Sequence, residues 1–382
     1  MRMKQTARII STYAADVSGV NSALFELGGM TVMHDASGCN STYNTHDEPR
    51  WYDHDSMVFL SGISEMEAIM GDDDKLIGDI VSAAEQLHPK FIAVAGTPIP
   101  MMIGTDLRAV AAVVEQRTGI PAFGFATNGM HTYVQGASMA LGGIAERFVT
   151  ERLPRTEGVS VNLLGVTPLD FSVNGSAEHL RTALERRGIS VLSNWAMGDT
   201  LETLQRASGA HVNLVVSYAG MGAARVLQRR FGIPYVIGRP YGQFTDLLCD
   251  AVLAASQTGE CAVPFRENRL SAADILVIGE GVSVCSLAKA LELETNCAVR
   301  AIAATEFDRA MCSDSDCIAR DEDELLPLVS GAQVIAADPL YAPICPKNAR
   351  FIPLGHEGFS GRIYRADIPD MTESAEWLTR QI

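Results

Sequence analysis

Positive charge is what this chain has least of. Its 382 residues carry 30 Lys and Arg against 46 Asp and Glu, a formal net charge of −16. Nucleic-acid binding needs a basic face to neutralise phosphates, so that partner class is excluded. An anionic membrane surface is equally unsuited. Long apolar runs are also missing, and none reaches the roughly 20 residues that a bilayer span requires. Met1-Arg2-Met3-Lys4-Gln5-Thr6 leads into only a short apolar run, so no secretory signal is read. The 8 cysteines are scattered through apolar or strand-like contexts and form no disulfide framework, which suits a reducing cytoplasm. No P-loop is present. Gly279-Glu280-Gly281 lacks the third glycine of a dinucleotide fingerprint. In Gly96-Thr97-Pro98-Ile99-Pro100, two prolines remove backbone donors that a phosphate would need.

What is present is apolar and periodic. With 47% hydrophobic and 20% charged residues, a chain of this length is expected to build two or three α/β units. Strand-like runs at residues 56–60, 91–96 and 121–125 alternate with helical patterns at 75–87, 101–117 and up to 148. A polar stretch with Pro154 reads as a linker. The pattern restarts with strands at 159–165, 189–192, 211–217 and 232–238 and helices at 176–187 and 245–257. After a loop at 264–269 it restarts again, with strands at 274–281, 298–303 and 333–337 and a helix over 284–294. The acidic segment 314–324 reads as a solvated face and helix start, and residues 372–382 as an amphipathic helix capped by Thr372. Repeated βα units imply parallel sheets with helices on both faces. The expected domains are 1–155, 156–268 and 269–382.

Candidate chemistry collects at the turns that follow strands, where α/β folds bind ligands. The apolar run at residue 30 ends in His34-Asp35-Ala36-Ser37-Gly38-Cys39. A thiol at such a turn is a metal or cluster ligand, a nucleophile, or a small buried hydrophobe. The next loop holds His46, His54 and several carboxylates, and reads as a solvated cover or a divalent-metal site. Cys312 and Cys317, with Cys345 further on, lack zinc-knuckle spacing and read as packing residues or as cluster or redox thiols. Cys249, Cys261, Cys285 and Cys297 are expected in the core. The turns at Ser217-Tyr218, Arg239, Thr305-Glu306 and His356-Glu357 are expected to face an interdomain cleft. Arg239 suits an anionic substrate, and His356 with Glu357 suits proton transfer.

The order of these elements, together with the Cys39 turn, resembles the nitrogenase component 1 family of oxidoreductases. That family carries His-Gly-Pro-x-Gly-Cys at this point, with the cysteine on an iron–sulfur cluster at a subunit interface. Ile103-Gly104-Thr105-Asp106-Leu107 is similar to its Ile-Gly-Asp-Asp-Ile, Arg230-Phe231-Gly232-Ile233-Pro234 to its Tyr-Gly-Ile-Pro, and Gly358-Phe359-Ser360-Gly361 to its Asp-Tyr-Ser-Gly. The resemblance covers nearly the whole chain. It implies three Rossmann-like doubly wound domains and a [4Fe–4S] cluster shared between subunits of a homodimer or heterodimer. Cys39 and Gly38 would lie at the cluster, with His34, Asp35 or His46 as further ligands, because a cluster normally takes four. It also implies an ATP-dependent iron–sulfur reductase as partner and a small-molecule substrate. The departures are equally specific. Ser11-Thr12-Tyr13 and Pro98 stand where interface cysteines are expected. Ser217, with Tyr218 beside it, stands where a cysteine anchors the large metal cofactor, and Gly355, one residue from His356, stands at its histidine ligand. The implied function is therefore a nitrogenase-like reductase of a small molecule other than dinitrogen. The alternatives are a carrier for a metallocluster or tetrapyrrole-like ligand, or the partner subunit of a catalytic homologue.

Overall fold

The structure is a computed structural model that describes residues 7–10, 12–36, 48–71, 73–271, 275–361, 363–364 and 367–382. Its first sheet pairs β1 (Met30–His34), β2 (Met57–Leu60), β3 (Ile92–Gly96) and β4 (Ala122–Phe125) in the order β2-β1-β3-β4, all parallel. Every residue of β1 and β3 is buried, as central parallel strands covered on both faces require. Met30, Val32, Ile92 and Val94 pack on the helices Asp73–Leu87 and Leu107–Thr118. The alternate residues Met33, Ala93 and Ala95 face the opposite core, with the helices Asp16–Leu24 and Tyr133–Phe148.

The single helix expected over 101–117 is in fact two, Pro98–Ile103 and Leu107–Thr118. Gly104 breaks it at φ +83°, and Asp106 caps the second helix by accepting from the Arg108 and Ala109 amides.

The second sheet joins β5 (Ser160–Leu164), β6 (Ser190–Asn194), β7 (Val212–Val215) and β8 (Tyr235–Ile237) as β6-β5-β7-β8. The third joins β9 (Ile275–Gly279), β10 (Val299–Ala303), β11 (Cys317–Ile318), β12 (Val334–Ala337) and β13 (Arg350–Pro353) as β11-β10-β9-β12-β13. Both are parallel throughout. The segment expected to be a solvated acidic face contains the edge strand β11. Its Asp316 is 1% exposed and binds Arg269 at 2.8 Å and the Ala301 amide at 3.0 Å. The C-terminal helix covers only Glu376–Thr379, and Thr372 does not cap it; its Oγ1 is buried without a partner.

The units are not strung loosely. The helix Tyr133–Phe148 lies between Asp16–Leu24 and Met221–Phe231, close enough that backbone touches backbone. The start of the chain crosses to the third unit, where Arg8 pairs with Glu322 and Ile9 joins the core. The Tyr13 and Ala14 amides then donate to the carbonyls of Phe359 and Gly358, at 2.8 and 3.1 Å. These bonds pin the short helix Glu357–Ser360 against the first unit and fix where His356 points.

Candidate functional site

A cleft between the second and third sheets holds about 700 Å³ of empty space, its open mouth included. Asp170 forms its polar floor. The Tyr133 hydroxyl, from the first unit, donates to Asp170 Oδ1 at 2.5 Å, and Thr167 Oγ1 donates to Oδ2 at 2.9 Å. Arg239, beyond the end of β8, donates from Nη1 to the Asp170 carbonyl at 3.1 Å. Its guanidinium carbon sits 3.9 Å from the Phe171 ring centroid and 5.3 Å from that of Tyr241. Arg239 is only 6% exposed, yet its Nε has no hydrogen-bond partner.

His356 stands at the start of the helix Glu357–Ser360. Its Nδ1 accepts from the Gly358 amide at 3.2 Å, which assigns the proton of the neutral ring to Nε2. Nε2 is buried and faces Asp170 Oδ1 at 3.5 Å. Asp338 Oδ2 holds the turn by accepting from the His356 amide at 2.9 Å and the Ser360 hydroxyl at 2.8 Å. Phe359 meets the imidazole edge-on at 4.8 Å.

Glu280 closes the opposite wall. It caps the helix Gly281–Thr295 through the amides of Val282 and Ser283, at 3.1 and 2.8 Å, and also accepts from the Tyr218 amide at 3.0 Å. Burial first, then the charge of Asp170, push its carboxyl up to about 7 against the opposing pull of those amides. Burial works on Asp170 in the same sense, but His356 and Tyr133 outweigh it and hold that carboxyl below its ordinary value. Asp170 thus keeps the charge, and Glu280 keeps a proton close to neutrality. Two carboxyls pushed apart in this way are equipped for different roles.

Of the residues singled out in the sequence, Arg239, His356 and Glu357 all line this cleft. Glu357 accepts from the Ser172 hydroxyl at 2.8 Å. Ser217 and Tyr218 are not among the lining residues, although the Ser217 side chain hydrogen-bonds Asp170. Ser217 Oγ accepts from the Ala219 amide, the Tyr218 ring packs edge-on to Phe307 at 5.3 Å, and only the Tyr218 amide reaches Glu280. Glu306 holds the Thr132 amide at 3.1 Å. His34 lines a separate, smaller hollow with Ser61 and Glu67; its Nδ1 is 2.8 Å from Ser61 Oγ, and burial pulls its imidazole down to about 4. Asp35 is buried beside it and accepts from the Ala36 amide. Cys39, Gly38 and His46 fall outside the described residues.

The loop after them is exposed over residues 52–55, as a solvated cover would be, but its start is buried. Arg50, 4% exposed, binds Glu48 and Glu26 at 2.6 Å each, with carbonyl bonds to Ser22 and Ala196. The seven described cysteines are free. Burial pushes the thiols of Cys249 and Cys345 up to about 11 and raises that of Cys312, which disfavours thiolate ligands. Cys249 and Cys285 are core residues as expected, but Cys261 is half-buried and Cys297 exposed. Among the described residues, no group of three or more His, Cys, Asp or Glu is placed to hold a metal.

Sequence reasoning missed Asp170, Glu280 and Tyr133. A carboxylate between two glycines, directly after an apolar strand, was a usable signal for Glu280. Thr167-Pro168-Leu169-Asp170 reads only as a helix start, and nothing local marks Tyr133.

A model of the family described as nitrogenase component 1 type oxidoreductase matches residues 19–277. The nitrogenase molybdenum-iron protein alpha chain of Clostridium pasteurianum is 28% identical over 182 residues, covering 47% of this chain and 33% of that protein. The nitrogenase iron-molybdenum cofactor biosynthesis protein NifE of Klebsiella pneumoniae is 26% identical over 266 residues, covering 61% and 57%. A component of the light-independent protochlorophyllide reductase of Heliobacterium modesticaldum is 30% identical over 186 residues, covering 48% and 35%. This chain therefore matches only 33% to 57% of the length of these relatives. A solved chain, nitrogenase Cp1 at pH 6.5, superposes with a TM-score of 0.67 at 15% identity over 100% of this chain and 93% of that one, a likeness of fold. With the family model spanning more than half of the sequence, the chain belongs to the nitrogenase component 1 type oxidoreductases.

Proposed function

We propose that this chain is a component of a nitrogenase-like reductase. In this reading, low-potential electrons from an ATP-dependent iron–sulfur reductase enter at the rim of the first unit and reach a small molecule, not dinitrogen, in the cleft. The observation that supports the cleft as the substrate site is Arg239, a buried cation whose Nε has no partner and which lines that cleft. A buried polar donor left unmade is costly, so a ligand that satisfies it gains affinity there. Asp170 positions Arg239 through its carbonyl and His356 through its carboxylate, and Glu280 holds a proton near neutral pH for a reduction that consumes protons with electrons.

The electron relay we propose is a [4Fe–4S] cluster shared between subunits, to which this chain contributes Cys39. The described residues do not complete such a site. The first 155 residues contain no other cysteine, Pro98 opens a helix where a ligand would be wanted, and His34 is engaged with Ser61. Asp35 and His46 of this chain, or a partner subunit that is a second copy or a homologue, would supply the remaining ligands. The exposed side chains of Met66, Ile69, Met70 and Met102, on two packed helices of the first unit, suit the same partner.

The similarity to proteins named for cofactor biosynthesis favours one further reading, a carrier that holds a metallocluster or tetrapyrrole-like ligand without turnover. Anaerobic reconstitution with iron and sulfide, in the presence of the co-expressed partner, tests the main proposal. Electron paramagnetic resonance should show a cluster signal that Cys39→Ala removes. A signal that survives the substitution overturns the role of Cys39. A cluster that forms but never passes electrons from the reductase selects the carrier.

A further inference from the structure

The last segment of the chain, residues 367–382, packs across the cleft rather than away from it. Ile368, Met371 and Trp377 line the same cavity as Arg239 and His356. The segment is latched to the second unit from several sides. Asn174 Nδ2 donates to the Ile368 carbonyl at 2.8 Å, and His179 Nδ1 lies 2.8 Å from Asp370. Glu373 receives Arg187 at 2.6 Å and Arg186 at 3.1 Å, while its amide donates to the Pro240 carbonyl, one residue beyond Arg239. Ala375 and Leu378 bury themselves completely on the core.

Trp377 carries the argument. Its ring is half-buried, but its indole Nε1 is buried and has no acceptor. Buried tryptophan N–H groups normally find one. Two such donors, Arg239 Nε and Trp377 Nε1, therefore belong to residues lining one cleft, where His356 Nε2 already lies 3.5 Å from Asp170 Oδ1. The carboxylates there are already engaged: Asp170 by Tyr133 and Thr167, Asp338 by Ser360 and two amides, Glu280 by three amides, and Glu357 by Ser172. What the cleft leaves open is donors, framed by apolar walls.

We propose that residues 367–382 are a ligand-binding strap, and that Trp377 Nε1 donates to a carboxylate-bearing ligand with an apolar body that also engages Arg239. This rests on the reading of the cleft as the substrate site and adds the ligand class and the residue that closes over it.

The test uses the full chain and 2-naphthoate as a carboxylate on an apolar ring, with 2-naphthamide as its neutral counterpart. Calorimetry should show 2-naphthoate binding in preference to the amide. Trp377→Phe, which keeps the ring but removes the donor, should weaken 2-naphthoate about tenfold or more, as expected for a lost hydrogen bond to a charged acceptor. In the unsubstituted protein, which needs no variant to fold, 2-naphthoate should slow amide exchange across residues 372–379. Binding that is lost in Arg239→Gln but unchanged in Trp377→Phe, with unaltered exchange in the strap, overturns the strap and leaves the cleft reading standing. No preference for 2-naphthoate over the amide overturns the ligand class. No binding of either compound overturns the cleft reading itself.

Discussion

Glu280 makes a measurable commitment. Its carboxyl is 1% exposed and raised from an ordinary value of 4.5 to about 7, chiefly by burial. In the unfolded chain the group loses its proton near pH 4.5, whereas in the folded chain it keeps it until about pH 7. The folded state therefore binds more protons between those values, and stability must fall as pH rises through that window. Below pH 4.5 the contribution is fully present, and above pH 7 it is gone. The free energy at stake is about 3 kcal/mol. Glu280→Gln removes the titration and leaves the size. The amide still accepts from the Tyr218 and Val282 amides through its oxygen but turns an NH₂ group toward the Ser283 amide, losing about 1 kcal/mol of cap at every pH. The variant should therefore be less stable than the parent at pH 5 and more stable at pH 8. Urea unfolding at pH 5, 6, 7 and 8 reads the crossing directly. A stability difference between the two proteins that stays constant from pH 5 to 8 refutes the account, because Glu280 would then carry the same charge folded and unfolded.

Two further outcomes follow from packing and pairing. Arg50→Met leaves Glu48, whose side chain is fully buried, without its cation, and should cost about 3–5 kcal/mol in urea unfolding; a loss under 1 kcal/mol would mean the pair is dispensable. Gly136→Ala places a Cβ 1.8 Å from the Asp16 carbonyl oxygen, so the two helices must part, at a cost of about 1–3 kcal/mol or more. Gly158→Ala, with nothing within 4 Å of its Cβ, is the control and should leave the unfolding midpoint unchanged.

The sheets were legible because parallel strands buried on both faces are written as unbroken apolar runs, as in Ile92–Gly96 and Ile275–Gly279. The errors fall where local pattern and tertiary context disagree. Gly104 lies inside an apolar stretch that keeps a helical look across it, yet its left-handed backbone ends one helix before Asp106 starts another. The two-residue strand β11 is too short to show alternation, and Asp316 beside it is buried only because Arg269, 47 residues earlier, reaches in to pair with it. The site divides in the same way. Arg239 and His356 were accessible from topology, since ligands gather beyond strand ends. Tyr133 sits inside a helix whose sequence reads as plain core, and only the fold brings its hydroxyl to Asp170.

That convergence explains why Asp170 matters more than any residue the sequence put forward. It receives Tyr133 from the first unit, Arg239 from the second and the approach of His356 from the third. A change in where any unit sits must therefore alter the charge environment of this one carboxylate, and through it the proton on Glu280, whose value is raised in part by the Asp170 charge.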